Sequence, residues 1–149
     1  MEERVLPGLG REFLAEGGRL ALYASGPLLL ARFSGFGVGD FAMPIIQKFE
    51  AIWQSDLRVE VFFDLGRMPN YHSDLRTRLT AHFAQRLQHI ASFHVFTSSR
   101  LVAMGVSVAN LALGHMITLH PTFERFRDQF DTVVRNTRTA RLNSSVFAD

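Results

Sequence analysis

Residues 72–74 read His-Ser-Asp, the three side-chain types of a hydrolytic triad. Neighbouring residues at a helix start point in different directions, so these three cannot line up as base, nucleophile and orienting acid. A dispersed set, Ser98 with His72 and Asp64, could share one crevice, but no G-x-S-x-G elbow accompanies it. No catalytic residue is therefore assigned, and a hydrolase ranks third among the readings. Six histidines raise the question of a metal. His82 and His89 fall seven residues apart on one helix, about 10 Å along its axis, too far to share an ion. His94 sits in a short strand, His115 and His120 bracket another, and no H-E-x-x-H occurs. Neither a metal nor a cofactor is expected. The glycines at 35, 37 and 39 suggest a phosphate loop, but position 40 is Asp and no Lys-Ser/Thr follows. A flexible turn into a helix capped by Asp40 is the expectation there.

What the spacing does support is a binding crevice. The apolar run Val59 to Phe63 ends on Asp64, a turn over Gly66 to Tyr71 follows, and a helix opens at His72 or Ser73, with Ser73 as the better N-cap. Asp64 either orients a ligand or accepts backbone hydrogen bonds from Gly66-Arg67. A partner or ligand site would use Asp64, Asn70, Tyr71, His72 and Ser73 after the central strand. Ser98 and Arg100 after its neighbour would complete it. Arg100 with the Ser98 and Ser99 hydroxyls could hold an anion.

The elements that must position these residues follow from periodicity. Alternation at 19–24 and an apolar run at 28–33, joined by Ser25-Gly26-Pro27, read as a β-hairpin. Apolar positions 41, 45, 49 and 52 make an amphipathic helix with Pro44 in its first turn. The central strand runs from about Arg58 to Asp64. A second helix carries the stripe Leu75, Leu79, Phe83, Leu87 and Ile90. A strand at 92–97 leads to a third helix, 100–113, capped from Thr97-Ser98-Ser99 and closed by Gly114. That helix is apolar on nearly all sides, so it should be covered or form an oligomer contact. A strand at 116–119 and a Thr122-capped helix bearing Phe123, Phe126, Phe130, Val133 and Val134 complete the order. Alternating strands and helices predict an α/β fold: one mostly parallel sheet with an antiparallel hairpin at its edge and about four helices. The expected divisions are an N-terminal extension over 1–18, a domain over 19–135 and a flexible tail over 136–149.

The chain has 149 residues and no cysteine, which removes disulfides, thiolate catalysis and Cys-based zinc sites. Fifteen of its sixteen cationic residues are arginine, scattered among fourteen acids. The one local excess, Arg135, Arg138 and Arg141, falls in the tail, so nucleic-acid binding is not expected. No signal-like segment opens the sequence, and 101–113 is too short to span a bilayer. A cytoplasmic protein is the expectation.

With these elements in order, the chain resembles the STAS and SpoIIAA-like superfamily of anti-sigma-factor antagonists. "VFFDLGRM" is similar to that family's strand closing on Asp-Leu-Ser-Gly. "NYHSDL" stands where the antagonists carry Asp-Ser-Ser-Gly-Leu, and "ITLHPTFERFRDQF" is similar to their last strand and helix. The resemblance implies a non-catalytic regulatory domain that docks a protein partner, a regulatory kinase or anti-sigma-like factor, through the helix start at 71–75. It implies phosphorylation at Ser73. The sequence departs from the pattern where His72 replaces Asp, Asp74 replaces Ser and Leu75 replaces Gly. The resemblance also implies the alternative of a small-molecule or lipid-binding domain. A homodimer through the apolar third helix is a further expectation.

Overall fold

The computed structural model describes residues 1–8, 10–137 and 141–148. Residues 2–15, expected to lie outside the domain, pair into its sheet. Strand β1 (Glu2–Val5) lies antiparallel to β2 (Gly10–Ala15). Every β1 side chain is exposed, so no apolar alternation marks it; cross-strand charge does, with Arg11 bonding Glu3 at 2.9 Å. The expected hairpin follows as β3 (Gly18–Ser25) and β4 (Leu28–Gly37). Strand β4 runs through the glycines at 35 and 37, which therefore form strand rather than a flexible turn. Asp40 sits in a short 3-10 turn (Gly39–Phe41) and caps nothing; α1 (Ala42–Trp53) starts from Phe41 without a side-chain cap.

Strand β5 runs from Val59 to Tyr71, seven residues past Asp64. The turn expected over 66–71 is thus strand, kept in register by Arg67 opposite Ser34, Asn70 opposite Phe36 and Tyr71 opposite Gly37. Pairing with the next strand stops at Asp64, so Pro69 lies where the second edge is open and its missing N–H costs no ladder bond. Helix α2 (Ser73–Ala84), β6 (Ile90–Phe96), α3 (Arg100–Ala112), β7 (Ile117–His120) and α4 (Phe123–Arg135) follow. Leu87 and Ile90, read as the end of the α2 stripe, fall in a 3-10 turn and in β6. Gly114, at φ +64°, closes α3 as expected.

The seven strands lie in chain order, β1 to β7. The first three pairings are antiparallel and the last three parallel, so the sheet is mixed rather than mostly parallel. Helices α1, α2 and α3 cover one face, where Phe33, Phe63, Phe93, Ile45, Leu79 and Val102 pack together. Helix α4 covers the other, with Phe126 and Phe130 on Leu28, Leu30 and Phe62. The strands alternate between these two cores, which is why the central strands read as nearly continuous apolar runs.

The end of the chain joins the second core. Leu142 is buried and Phe147 packs edge-on against Phe123 and Phe130, so the tail expected to fray is partly docked. Residues 138–140 of that tail, Arg138 among them, and 149 lie outside the described residues. Among the described residues no helix is long and apolar enough to cross a membrane.

Candidate functional site

The residues expected to form one crevice are divided by the sheet. Asp64 is buried on the α4 face, where its carboxylate accepts from Arg32 Nε at 2.9 Å and from the Gly66 N–H at 3.0 Å. The backbone-accepting role read from the sequence is present, and the ion pair with Arg32 is an addition. Arg32 in turn donates to the Val146 carbonyl at 3.0 Å and lies 5.2 Å from the Phe147 ring centre. Asp64 therefore locks two strands and the chain end together, away from the helix start at 71–75.

The other residues sit at the carboxyl ends of β5 and β6. Asn70 is exposed and its side chain accepts from the Tyr71 N–H at 2.8 Å. His72, in extended conformation, is the actual N-cap of α2: its Nδ1 accepts from the Asp74 N–H at 3.1 Å. Ser73 is already the first helical residue and does not cap, a correction of one position. It is solvent-exposed. Ser98 donates to the Gly66 carbonyl at 2.8 Å, and Ser99 donates to the Pro69 carbonyl while capping α3 through the Val102 N–H. Both hydroxyls thus tie α3 to the protruding end of β5 rather than converging with the exposed Arg100 on an anion.

That protruding end shapes a site the sequence did not reveal. It carries Leu65, Met68 and Tyr71 beyond the last β6 pairing, and these three line an apolar cleft together with residues of α2, α3 and the sheet. The room inside the cleft is about 80 Å³, larger than a water molecule needs but below the range usual for drug-sized sites, so it suits only a small or slender apolar group. Phe63 and Phe93 of the sheet form its floor, Leu79 and Phe83 its α2 wall, and Val102 and Val106 its α3 wall. At the rim stand the half-buried Tyr71, Arg76 and Thr80. Arg76 Nη1 donates to the Tyr71 hydroxyl at 3.2 Å. That hydroxyl rests on the α3 backbone at Gly105, where any Cβ would overlap it. The signal available in the sequence was the pairing of Gly105 with Ala109, small residues four apart on one helix face.

The histidines take other roles. His82 faces Glu50 at 3.1 Å, His89 stacks on Trp53, and His94 Nδ1 meets His120 Nε2 at 3.0 Å. His94 is buried against the Phe62 ring, and its Nε2 has no hydrogen-bond partner among the described residues. Burial first, and His120 second, push its imidazole down to about 4.

A seven-stranded mixed sheet with three helices on one face and one on the other defines an α/β domain with a cleft between that sheet and two of the three helices. No family model and no curated protein matches the chain. Among solved structures it is similar to an uncharacterized protein of the DUF3478 family from Shewanella loihica PV-4, which has a SpoIIAA-like fold. The two are 9% identical, with a TM-score of 0.49 over 85% of this chain and 98% of the other.

Proposed function

We propose that the protein binds a small apolar ligand in the cleft between α2 and α3. The observation that carries this reading is the cleft itself, walled by phenylalanine, leucine and valine and polar only at one rim. A packed core leaves few voids larger than a water molecule, so an open apolar space of this size is either filled by a ligand or a standing cost. Titration with 1-octanol, followed by methyl NMR, is the test. Shifts are expected at Leu75, Leu79, Val102, Val106 and Leu113, and Ala109→Trp at the rim is expected to abolish them. Shifts confined to Leu101, Val108 and Leu111, on the outer side of α3, would overturn the reading.

A second reading, a protein-binding domain, is favoured by that outer side. Leu101, Met104, Val108 and Leu111 are all more than half exposed and repeat with the spacing of a coiled-coil seam. The helix carries no charge from 101 to 112, so two copies can pack antiparallel without repulsion. A partner docking at 71–75, with phosphorylation of the exposed Ser73, belongs to the same reading. Light scattering is expected to give twice the 16.8 kDa chain mass, falling to one chain in Met104→Glu/Val108→Glu. A wild-type monomer at high micromolar concentration would remove the homodimer.

A further inference from the structure

We infer that the cleft takes an amphipathic monocarboxylate, its aliphatic or aromatic tail between α2 and α3 and its carboxylate on Arg76 and Tyr71. This rests on the cleft being a ligand site and adds the chemistry of what enters it.

The first observation is a cation without a counter-charge. Among the described residues none of the ion pairs includes Arg76, whose side chain donates to the neutral Tyr71 hydroxyl. The nearest acid on its helix, Asp74, faces Arg78 at 4.0 Å and lies against Gly39, turned from the cleft. Arg78 is itself tied to the Gly39 carbonyl at 3.0 Å. A half-buried guanidinium loses hydration without compensation, and a ligand anion would supply it.

The second observation is where the donors sit. The Tyr71 hydroxyl accepts from Arg76, so its own proton remains to be donated. Guanidinium and hydroxyl meet at the rim above Gly105, and only a residue without a side chain leaves them that place. The floor and the α3 wall offer no polar side chain, so a ligand that fills the cleft must carry its polarity at one end. One cation and one hydroxyl match the two oxygens of a carboxylate, which a guanidinium grips as a fork; a phosphate dianion would call for more donors.

The test compares octanoate with 1-octanol at neutral pH by the same methyl NMR titration. These probes share the tail and differ in the headgroup charge. Wild type is expected to bind octanoate about tenfold more tightly, as a charge-assisted contact at a partly exposed site allows. Arg76→Gln is expected to bring that ratio close to one, and Arg76→Lys to restore part of it. Tyr71→Phe should reduce the ratio by a smaller factor. Equal affinities in wild type, or a ratio that survives in Arg76→Gln, would overturn the carboxylate assignment while leaving the cleft as a ligand site. Binding of neither probe would overturn both.

Discussion

Arg32→Leu is expected to lower the free energy of unfolding by about 3–5 kcal/mol, because it leaves the Asp64 carboxylate buried without its partner. The side chain of Asp64 is 8% exposed and that of Arg32 14%, and the two meet at 2.9 Å between adjacent parallel strands. Buried pairs of this kind behave asymmetrically. Removing one member strands a charge, whereas replacing both by apolar groups of similar volume is often neutral or better. Arg32→Leu/Asp64→Leu is therefore expected to recover most of the loss, and urea unfolding of the four forms gives the coupling directly. The single variant should also loosen the chain end, since Arg32 holds the Val146 carbonyl and lies against Phe147. Hydrogen exchange at 144–147 reports that separately. A single variant within about 1 kcal/mol of wild type would refute the argument.

Acid is expected to destabilise the protein through His94. The folded imidazole titrates at about 4, held there by burial first and by His120 second, against 6.5 for an ordinary histidine. Burial and Arg125 lower His120 as well. The groups acting on this pair are thus basic, and neither favours the charged form. Between pH 6.5 and 4 the unfolded chain takes up a proton that the folded chain refuses. Stability is complete above the unfolded value, falls as the pH drops toward the folded one, and levels off below it. Allowing for screening of a group near the surface, the loss is on the order of 2 kcal/mol. His94→Phe keeps a ring against Phe62, removes the unpartnered Nε2 and is expected to flatten the slope. Urea midpoints at pH 7.5 and 4.5 measure it, and equal wild-type midpoints would contradict it.

How much of this was legible in the sequence depended on the range of the forces involved. Local signals carried well: the hairpin, the four helices, a cap within Thr97-Ser98-Ser99, the Thr122 cap and the Gly114 stop all need only near neighbours. The α2 cap was misread by one residue because serine is the commoner cap, while here His72 holds the extended backbone and Ser73 is already helical. Long-range pairing overrode local chemistry in β5. Gly66 and Pro69-Asn70 have turn composition, yet β4 supplies a ladder that carries them on as strand to Tyr71. The same override hid part of the cleft's lining, because Leu65, Met68 and Tyr71 reach it from that extra length of strand. Strand β1 left no trace because it buries nothing, and Leu142 and Phe147 are apolar residues too isolated to form a period.

A sheet whose neighbours in space are neighbours in sequence can be assembled in the order of synthesis. Each new strand leaving the ribosome finds its partner already made, and α1 to α3 close their face progressively. The opposite face has no such provision. Leu28, Leu30 and Phe62 are in place long before Phe126 and Phe130 exist to cover them. A nascent chain stalled before α4 would thus present a bare apolar surface on an otherwise finished sheet, the kind of species that chaperones hold and that aggregates when they do not. The cost of the simple strand order is a delay in covering its second side.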